Sequence, residues 1–478
     1  MTNQKRILIA ITGTACLVGY LFLTRKGRNN EIDADVLLRR QRQIDSAAED
    51  DRLAQATDLD LLRKSGRGQP VPAHLVSEID PSFDHWVVAD RKLTHRAEVP
   101  FQPGQLPTPP STDAPVHTNP GFLGADACKE CHARQYDSFV ETAHYRTSRH
   151  ADPDDIIGSF QPGQNELNTG TVGVSFQMIE RDGVPLQRTS FFGWQFDVPI
   201  HLTFGSSNIA ETYAYWSGDK LYQLNCSCLG DGNRWINSPG YVDGDAAFAR
   251  PILPGCIDCH STYIDVREMP NRYTPQSLIV GISCERCHRP GKQHVQYHQA
   301  NPDAKQARHI SVPSKLTRQQ QMDVCGQCHT SNKQLGNRRP FQFRPGDRLE
   351  DHYTMLDESQ TDNQVHASNQ SARLAMSRCF QASDMACVEC HNPHHNERGQ
   401  VQLFSERCLS CHETQHCTFP NPTGLNLGDN CIDCHMPKGS GNLHINTEQG
   451  KIFPPLRDHY IRVDAAATQD FLRSQQSP

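Results

Sequence analysis

Seven times between residues 128 and 435 the chain repeats Cys-x-x-Cys-His, and no other feature constrains its fold as tightly. The cysteines are Cys128 and Cys131, Cys256 and Cys259, Cys284 and Cys287, Cys325 and Cys328, Cys387 and Cys390, Cys408 and Cys411, and Cys431 and Cys434. The histidines that close the motifs are His132, His260, His288, His329, His391, His412 and His435. Two cysteines three apart share one side of a helical turn. They can form thioethers with the two vinyl groups of one porphyrin, while the next residue aims an imidazole at its iron. Zinc uses Cys-x-x-Cys pairs two at a time, which explains neither the odd number nor the invariant histidine. Random placement of 19 cysteines and 24 histidines would give about 0.04 such motifs in the chain. The pattern predicts seven c-type haems.

Composition fits that prediction. Only 36% of the 478 residues are hydrophobic and 7% aromatic, against 32 Gly and 31 Pro, too little apolar matter for a core of this size. The 308 residues from Cys128 to His435 divide into 44 per motif. A unit that small buries no core alone, so the haems must wall one another and the haem-free chain should be unfolded. The expected fold is mainly α with much irregular loop, organised around packed haems. A small antiparallel β insertion is expected near 171–224, where Val172, Val174 and Phe176 alternate with smaller residues and Asp182-Gly183 signals a turn. A net charge of −7 argues against nucleic acid.

Lys5 and Arg6 precede an apolar run from Ile7 to Leu23, with no small-x-small cleavage site after it. Residues 1–28 therefore read as an uncleaved signal anchor, a single N-terminal transmembrane helix, ahead of a cleaved peptide or a lipoprotein at Cys16. Residues 29–119 read as a polar helix followed by a Pro-rich stalk, because prolines from Pro70 to Pro120 favour an extended spacer. A haem domain over 120–445 and a polar tail over 446–478 complete the plan. Covalent haem attachment is an export-side event, which puts the haem domain in the periplasm or another extracytoplasmic space.

Whether an iron carries a second protein ligand separates a carrier from a catalyst. Beyond the spacer the pool is His144, His150, His201, His294, His298, His309, His352, His366, His394, His395, His416, His444 and His459. His144 and His394 lead it, followed by His294, His352 and His366, with His150 and His444 completing a set of seven. Met376, Met385 and Met436 read as ordinary loop methionines. Outside the motifs, Cys226-Ser-Cys228 is too tight for haem attachment and is open to three readings: free thiols, a strained disulfide or a metal site. Cys379 and Cys417 carry no reading.

The stretch Gly124-Ala-Asp-Ala-Cys128-Lys-Glu-Cys131-His132 through Glu141-Thr-Ala-His144 resembles the opening of the cytochrome c554/c′ haem-domain family. So do Cys284-Glu-Arg-Cys287-His288-Arg-Pro-Gly-Lys-Gln-His294 and the Cys-His-Asn-Pro-His segment ending at His394. The resemblance covers about 120–440 and implies distal-ligand roles for His144 and His294. Through relatives similar to hydroxylamine oxidoreductase and pentahaem nitrite reductase it also implies nitrogen or sulfur redox chemistry. This chain has no Cys-x-x-Cys-Lys variant, and its motifs number seven rather than five or eight. It therefore reads as an electron carrier between a membrane or exported donor and an exported acceptor, partnered by redox proteins or a quinol-linked membrane complex. The alternative is an oxidoreductase binding a small nitrogen or sulfur compound at an open haem.

Overall fold

The computed structural model describes residues 71–475 except 81–84, 93, 111–118, 231–233, 269, 331–332, 336–337, 357–364, 418, 420–423, 425, 442–443 and 448. Among the described residues there are 21 strands and 12 α-helices, the longest helix having 12 residues.

Fifteen strands form the β-rich part: β1 (Leu75–Asp80), β2 (His85–Asp90), β3 (Arg96–Val99), β4 (Ser148–His150), β5 (Glu166–Asn168), β6 (Val174–Arg181), β7 (Val184–Phe191), β8 (Trp194–Pro199), β9 (Leu202–Phe204), β10 (Ala210–Ser217), β11 (Lys220–Leu229), β12 (Trp235–Asn237), β13 (Ala246–Ala247), β14 (Ser261–Glu268) and β15 (Arg272–Val280). They make a β1-β2-β3-β13 sheet, a β5-β6-β7-β8 meander and a larger sheet ordered β14-β15-β11-β10-β9-β4, with β12 on β11. All pairings are antiparallel except β3 with β13.

Strict alternation builds these strands. Along β6, Val174, Phe176 and Met178 are buried while the residues between them are not, as one buried face requires. Asp182 and Gly183 both take positive φ, 54° and 75°, the type I′ geometry that closes a two-residue hairpin between β6 and β7. The three sheets share one core that includes Leu75, Val88, Val99, Phe176, Trp194, Tyr213, Tyr215, Leu224 and Phe248. Each large side chain there contributes roughly 1.5–3 kcal/mol by leaving water. The opposite face of β10 and β11 builds a second core from Leu202, Trp216 and Leu221 with Tyr263, Tyr273 and Phe341. Ile257, inside the second motif, is fully buried in it, which ties that motif to the sheet.

Twelve helices carry or connect the motifs: α1 (Asp126–Lys129), α2 (Ala133–Phe139), α3 (Pro254–His260), α4 (Glu285–His288), α5 (Lys292–Ala300), α6 (Arg318–His329), α7 (Leu349–His352), α8 (Gln370–Ala375), α9 (Arg378–Gln381), α10 (Val401–Leu409), α11 (Cys431–His435) and α12 (Ala465–Ser474).

The expectation of a mainly α fold is corrected. Strands run from Leu75 to Val280, well beyond the small insertion expected at 171–224. Residues 75–99, expected in an extended spacer, supply three strands of a sheet instead. Pro72 and Pro100 flank these runs and leave the strand interiors free to hydrogen-bond. No helix among the described residues is long and apolar enough to cross a membrane. Residues 1–28, expected as a transmembrane helix, and the polar helix expected before the spacer lie outside the described residues.

Asp197 on β8 accepts from Arg188 at 2.8 and 3.2 Å and also from Arg181. Burial pushes its carboxyl up, but the two arginines outweigh burial and hold it below the usual carboxylate value. A carboxyl depressed in the fold stabilises above its unfolded pKa, about 3.9, and loses that contribution as pH falls through the folded value. The Asp197→Asn chain should therefore be about 0.5–1 kcal/mol less stable than the native one at pH 6, a modest gap because both arginines reach solvent. Denaturation midpoints should converge towards pH 2; a gap that persists there contradicts the assignment.

Candidate haem-binding sites

In each motif a single helical turn sets the donor atoms. The backbone N–H of His132 donates to the Cys128 carbonyl at 2.9 Å, and the same i to i−4 bond recurs at His288, His391 and His412. Both cysteines and the histidine thus sit on one short turn.

Four motif histidines face a histidine from elsewhere in the chain. Ring centres are 6.4 Å apart for His132 and His294, 6.2 Å for His329 and His144, 6.1 Å for His288 and His394, and 6.1 Å for His391 and His459. That separation is too long for direct stacking and suits an atom between the rings. Two iron–nitrogen bonds of about 2 Å, plus about 1.1 Å from each nitrogen to its ring centre, sum to about 6.2 Å. The donor set fits haem iron held by two imidazoles.

The outer nitrogens support that fit. Nδ1 of His288 donates to the Ser311 carbonyl at 2.9 Å, Nδ1 of His329 to Ala367 at 3.0 Å, and Nδ1 of His435 to Arg462 at 2.9 Å. His294 does the same to Arg308 at 2.7 Å. A carbonyl can only accept, so each Nδ1 carries the proton and each Nε2 keeps its lone pair for a metal. Burial, with His329 and His391 nearby, pushes His144 down to about 4, and burial with His391 nearby does the same to His459. Both stay neutral, as ligation requires.

The other expected distal positions are placed differently. Nε2 of His352 is 2.9 Å from Asp347 Oδ2, so the nitrogen that would meet an iron is spent on a carboxylate five residues upstream. His366 bonds through Nδ1 to Ser368 Oγ at 2.6 Å. His444 lies 5.9 Å from the Phe453 ring, and His150 sits on β4, its backbone paired with Leu202. His201 accepts the Trp216 N–H at Nδ1, so its own proton is on Nε2 and it is no ligand in this state. The structure brings His459 to His391 instead; no motif marks it in the sequence.

His260 stands apart. Its Nδ1 is 2.9 Å from the Thr147 hydroxyl, and the ring against it is Phe204 at 5.8 Å. Among the described residues no imidazole stands about 6 Å from His260, His412 or His435; the side chain of His416 lies outside them. Cys226 and Cys228 lie buried in the first core, with no disulfide between them. Cys379 is within electrostatic reach of Cys390 and Cys408, and Cys417 of Cys434.

The motifs also adjoin one another. The Cys128 thiol lies against Cys284, Cys259 against Cys328, Cys325 against Cys387, and Cys408 against Cys431. Cys287 is within reach of Cys325, and Cys390 of Cys408. Every motif therefore has a neighbour, and the seven form one connected series.

Repeated attachment motifs, opposed imidazoles at iron-spanning distance and adjoining sites define a multihaem c-type cytochrome. Residues 127–162 and 241–289, which contain the first, second and third motifs, match the family model of cytochrome c554 and c-prime. Among solved structures, the outer cell wall cytochrome OcwA is 16% identical with a TM-score of 0.46, over 73% of this chain and 81% of that one. An undecahaem cytochrome from the S-layer of Carboxydothermus ferrireducens is 16% identical with a TM-score of 0.34; 73% of this chain covers 53% of that one. No curated protein sequence matches the chain.

Proposed function

We propose that the chain binds seven c-type haems and conducts electrons along them between an exported donor and an exported acceptor. The donor would be a redox protein or a quinol-linked complex. The observation that carries this reading is the set of four imidazole pairs at 6.1–6.4 Å. Haem iron bound there supplies one-electron chemistry, passing between ferrous and ferric forms. The side chains do the rest. Cysteines fix each group covalently, and paired histidines saturate the metal so that no substrate displaces them. Contacts between motifs keep donor and acceptor sites close enough for rapid hopping. Covalent attachment belongs to the export side, which supports an extracytoplasmic haem domain.

One observation favours a second reading. His260 faces a phenylalanine where four other motif histidines face an imidazole. An open position there would take a small nitrogen or sulfur compound, making the chain an oxidoreductase at one site and a wire at the rest.

Two measurements test both readings. The intact mass should exceed that of the polypeptide by seven haems, and a mass without added haem ends the proposal. An electron paramagnetic resonance spectrum of the oxidised protein should be dominated by low-spin signals from the paired sites. A high-spin signal, together with turnover of nitrite, hydroxylamine or tetrathionate, supports the second reading; low-spin signals alone exclude it.

A further inference from the structure

Asp258 and Arg286 form an ion pair between two motifs, and neither is needed for attachment or ligation. Asp258 precedes Cys259 in the second motif, and Arg286 precedes Cys287 in the third. Both side chains are almost wholly buried, 2% and 3% exposed. Arg286 Nη2 donates to Asp258 Oδ1 at 3.1 Å and to the Asp258 carbonyl at 2.9 Å. Asp258 also accepts from the Phe341 N–H at 3.1 Å and from the Tyr353 hydroxyl at 2.6 Å. Arg286 Nε is buried without a hydrogen-bond partner, and its guanidinium lies 5.2 Å from the Phe341 ring centre.

Such a pair is an expensive way to hold three segments together. Well-packed apolar residues of the same volume would often do as well or better. Its orientation suggests another use. Two opposite charges, screened little by water, are fixed beside different haem-attachment cysteines, the anion at one site and the cation at the next.

Resting on the haem reading above, we propose that the buried Asp258–Arg286 pair is a fixed dipole that sets the potentials of two haem sites apart. It lowers the potential of the site ligated by His260 and raises that of the site ligated by His288. A negative charge disfavours adding an electron nearby, and a positive charge favours it. The site of His329 lies between them, since Cys259 adjoins Cys328 and Cys325 is within reach of Cys287. The dipole therefore tilts electron flow from the His260 site towards the His288 site. One iron is oxidised as the next is reduced, and no bond is made or broken. Lys333, over the Tyr353 ring at 3.9 Å, is a second cation in reach of Cys259, but it is partly exposed and more strongly screened.

The chain contains its own control. The seventh motif repeats the same residues, Cys431-Ile-Asp433-Cys434-His435, and Asp433 pairs with Arg457 at 2.7 Å. That pair is 30% and 23% exposed, so solvent and salt should mute it.

The test is redox titration of the whole holoprotein, followed by paramagnetic resonance and visible absorption, with intact mass measured on each variant. Asp258→Asn should raise, and Arg286→Gln lower, the potentials of the sites at His260 and His288. Each change should be at least about tenfold in the redox equilibrium, or 59 mV for one electron. Arg286→Lys should keep the native potentials, and Asp433→Asn should change its neighbour by less than about threefold. Should the charge-removing variants fail to fold, Tyr353→Phe decides: loss of one donor to Asp258 should lower the potential of the His260 site. Missing haem mass in the native protein would refute the haem reading. Full haem mass with shifts that are absent, or of the same sign in Asp258→Asn and Arg286→Gln, would refute the dipole alone.

Discussion

Replacing Glu285 with alanine is expected to destabilise the folded chain by about 3–5 kcal/mol and to lower its haem content. This carboxylate sits inside the third motif, 2% exposed, and its bonds go to two distant turns. It accepts the N–H groups of Leu123 at 2.9 Å and Gly124 at 2.8 Å, just before the first motif, and that of Gly291 at 2.7 Å, before α5. Ser283 Oγ adds a fourth bond at 3.3 Å. Glu285 thereby clasps the first motif to the third, in keeping with the contact between Cys128 and Cys284. It also fixes the start of the helix that aims His294 at His132. Alanine would strand three backbone donors, that of Gly291 buried and those of Leu123 and Gly124 partly so, at up to about 1–3 kcal/mol each. Glu268→Ala, at a carboxylate 73% exposed, should change little. Thermal unfolding and haem absorbance per chain read both outcomes, and a Glu285→Ala protein as stable as the Glu268→Ala one rules out the clasp.

A chain produced without haem attachment is expected to be folded in one part and unfolded in another. The sequence alone suggested that everything would unfold. The structure divides the question, because the first core draws its residues from Val71 to Phe248 and includes no attachment cysteine. The core around α6 and α7, by contrast, has only Val324, Phe343, Leu349 and Tyr353 fully buried. The four tryptophans, Trp86, Trp194, Trp216 and Trp235, all lie on strands of the β-rich part. Haem-free protein should therefore keep the emission of buried tryptophan and a strand-type circular dichroism signal, while trypsin cuts rapidly between 284 and 440. Uniform resistance, or wholly solvent-exposed tryptophan, contradicts that division.

The sites were more legible in the sequence than the fold. Attachment cysteines and their histidines follow from spacing within one helical turn, where local geometry leaves nothing to the rest of the chain. Three facing histidines, His144, His294 and His394, sit a short step after a motif, so local reading reached them too. His459 lies 6.1 Å from His391, yet it is far along the chain and no pattern announces it. His352 is placed otherwise, with its Nε2 at Asp347. Nothing in its spacing shows that Asp347 takes its Nε2. The strands of residues 75–99 were hidden by counting prolines rather than asking where they fall. Placed at run ends they bound strands, as Pro100 does after β3.

The facing histidines are supplied crosswise. His294 follows the third motif yet meets the first, His394 follows the fifth yet meets the third, and His144 follows the first yet meets the fourth. Each such union closes a loop of more than a hundred residues, so on the haem reading assembly would run on two clocks. Thioethers would be sealed as each motif is delivered, whereas the opposing imidazole would arrive only after a long further stretch of chain. Half-ligated iron would then be a stage in the birth of this molecule, and an arrest of synthesis before His459 would leave the fifth site in that state for good.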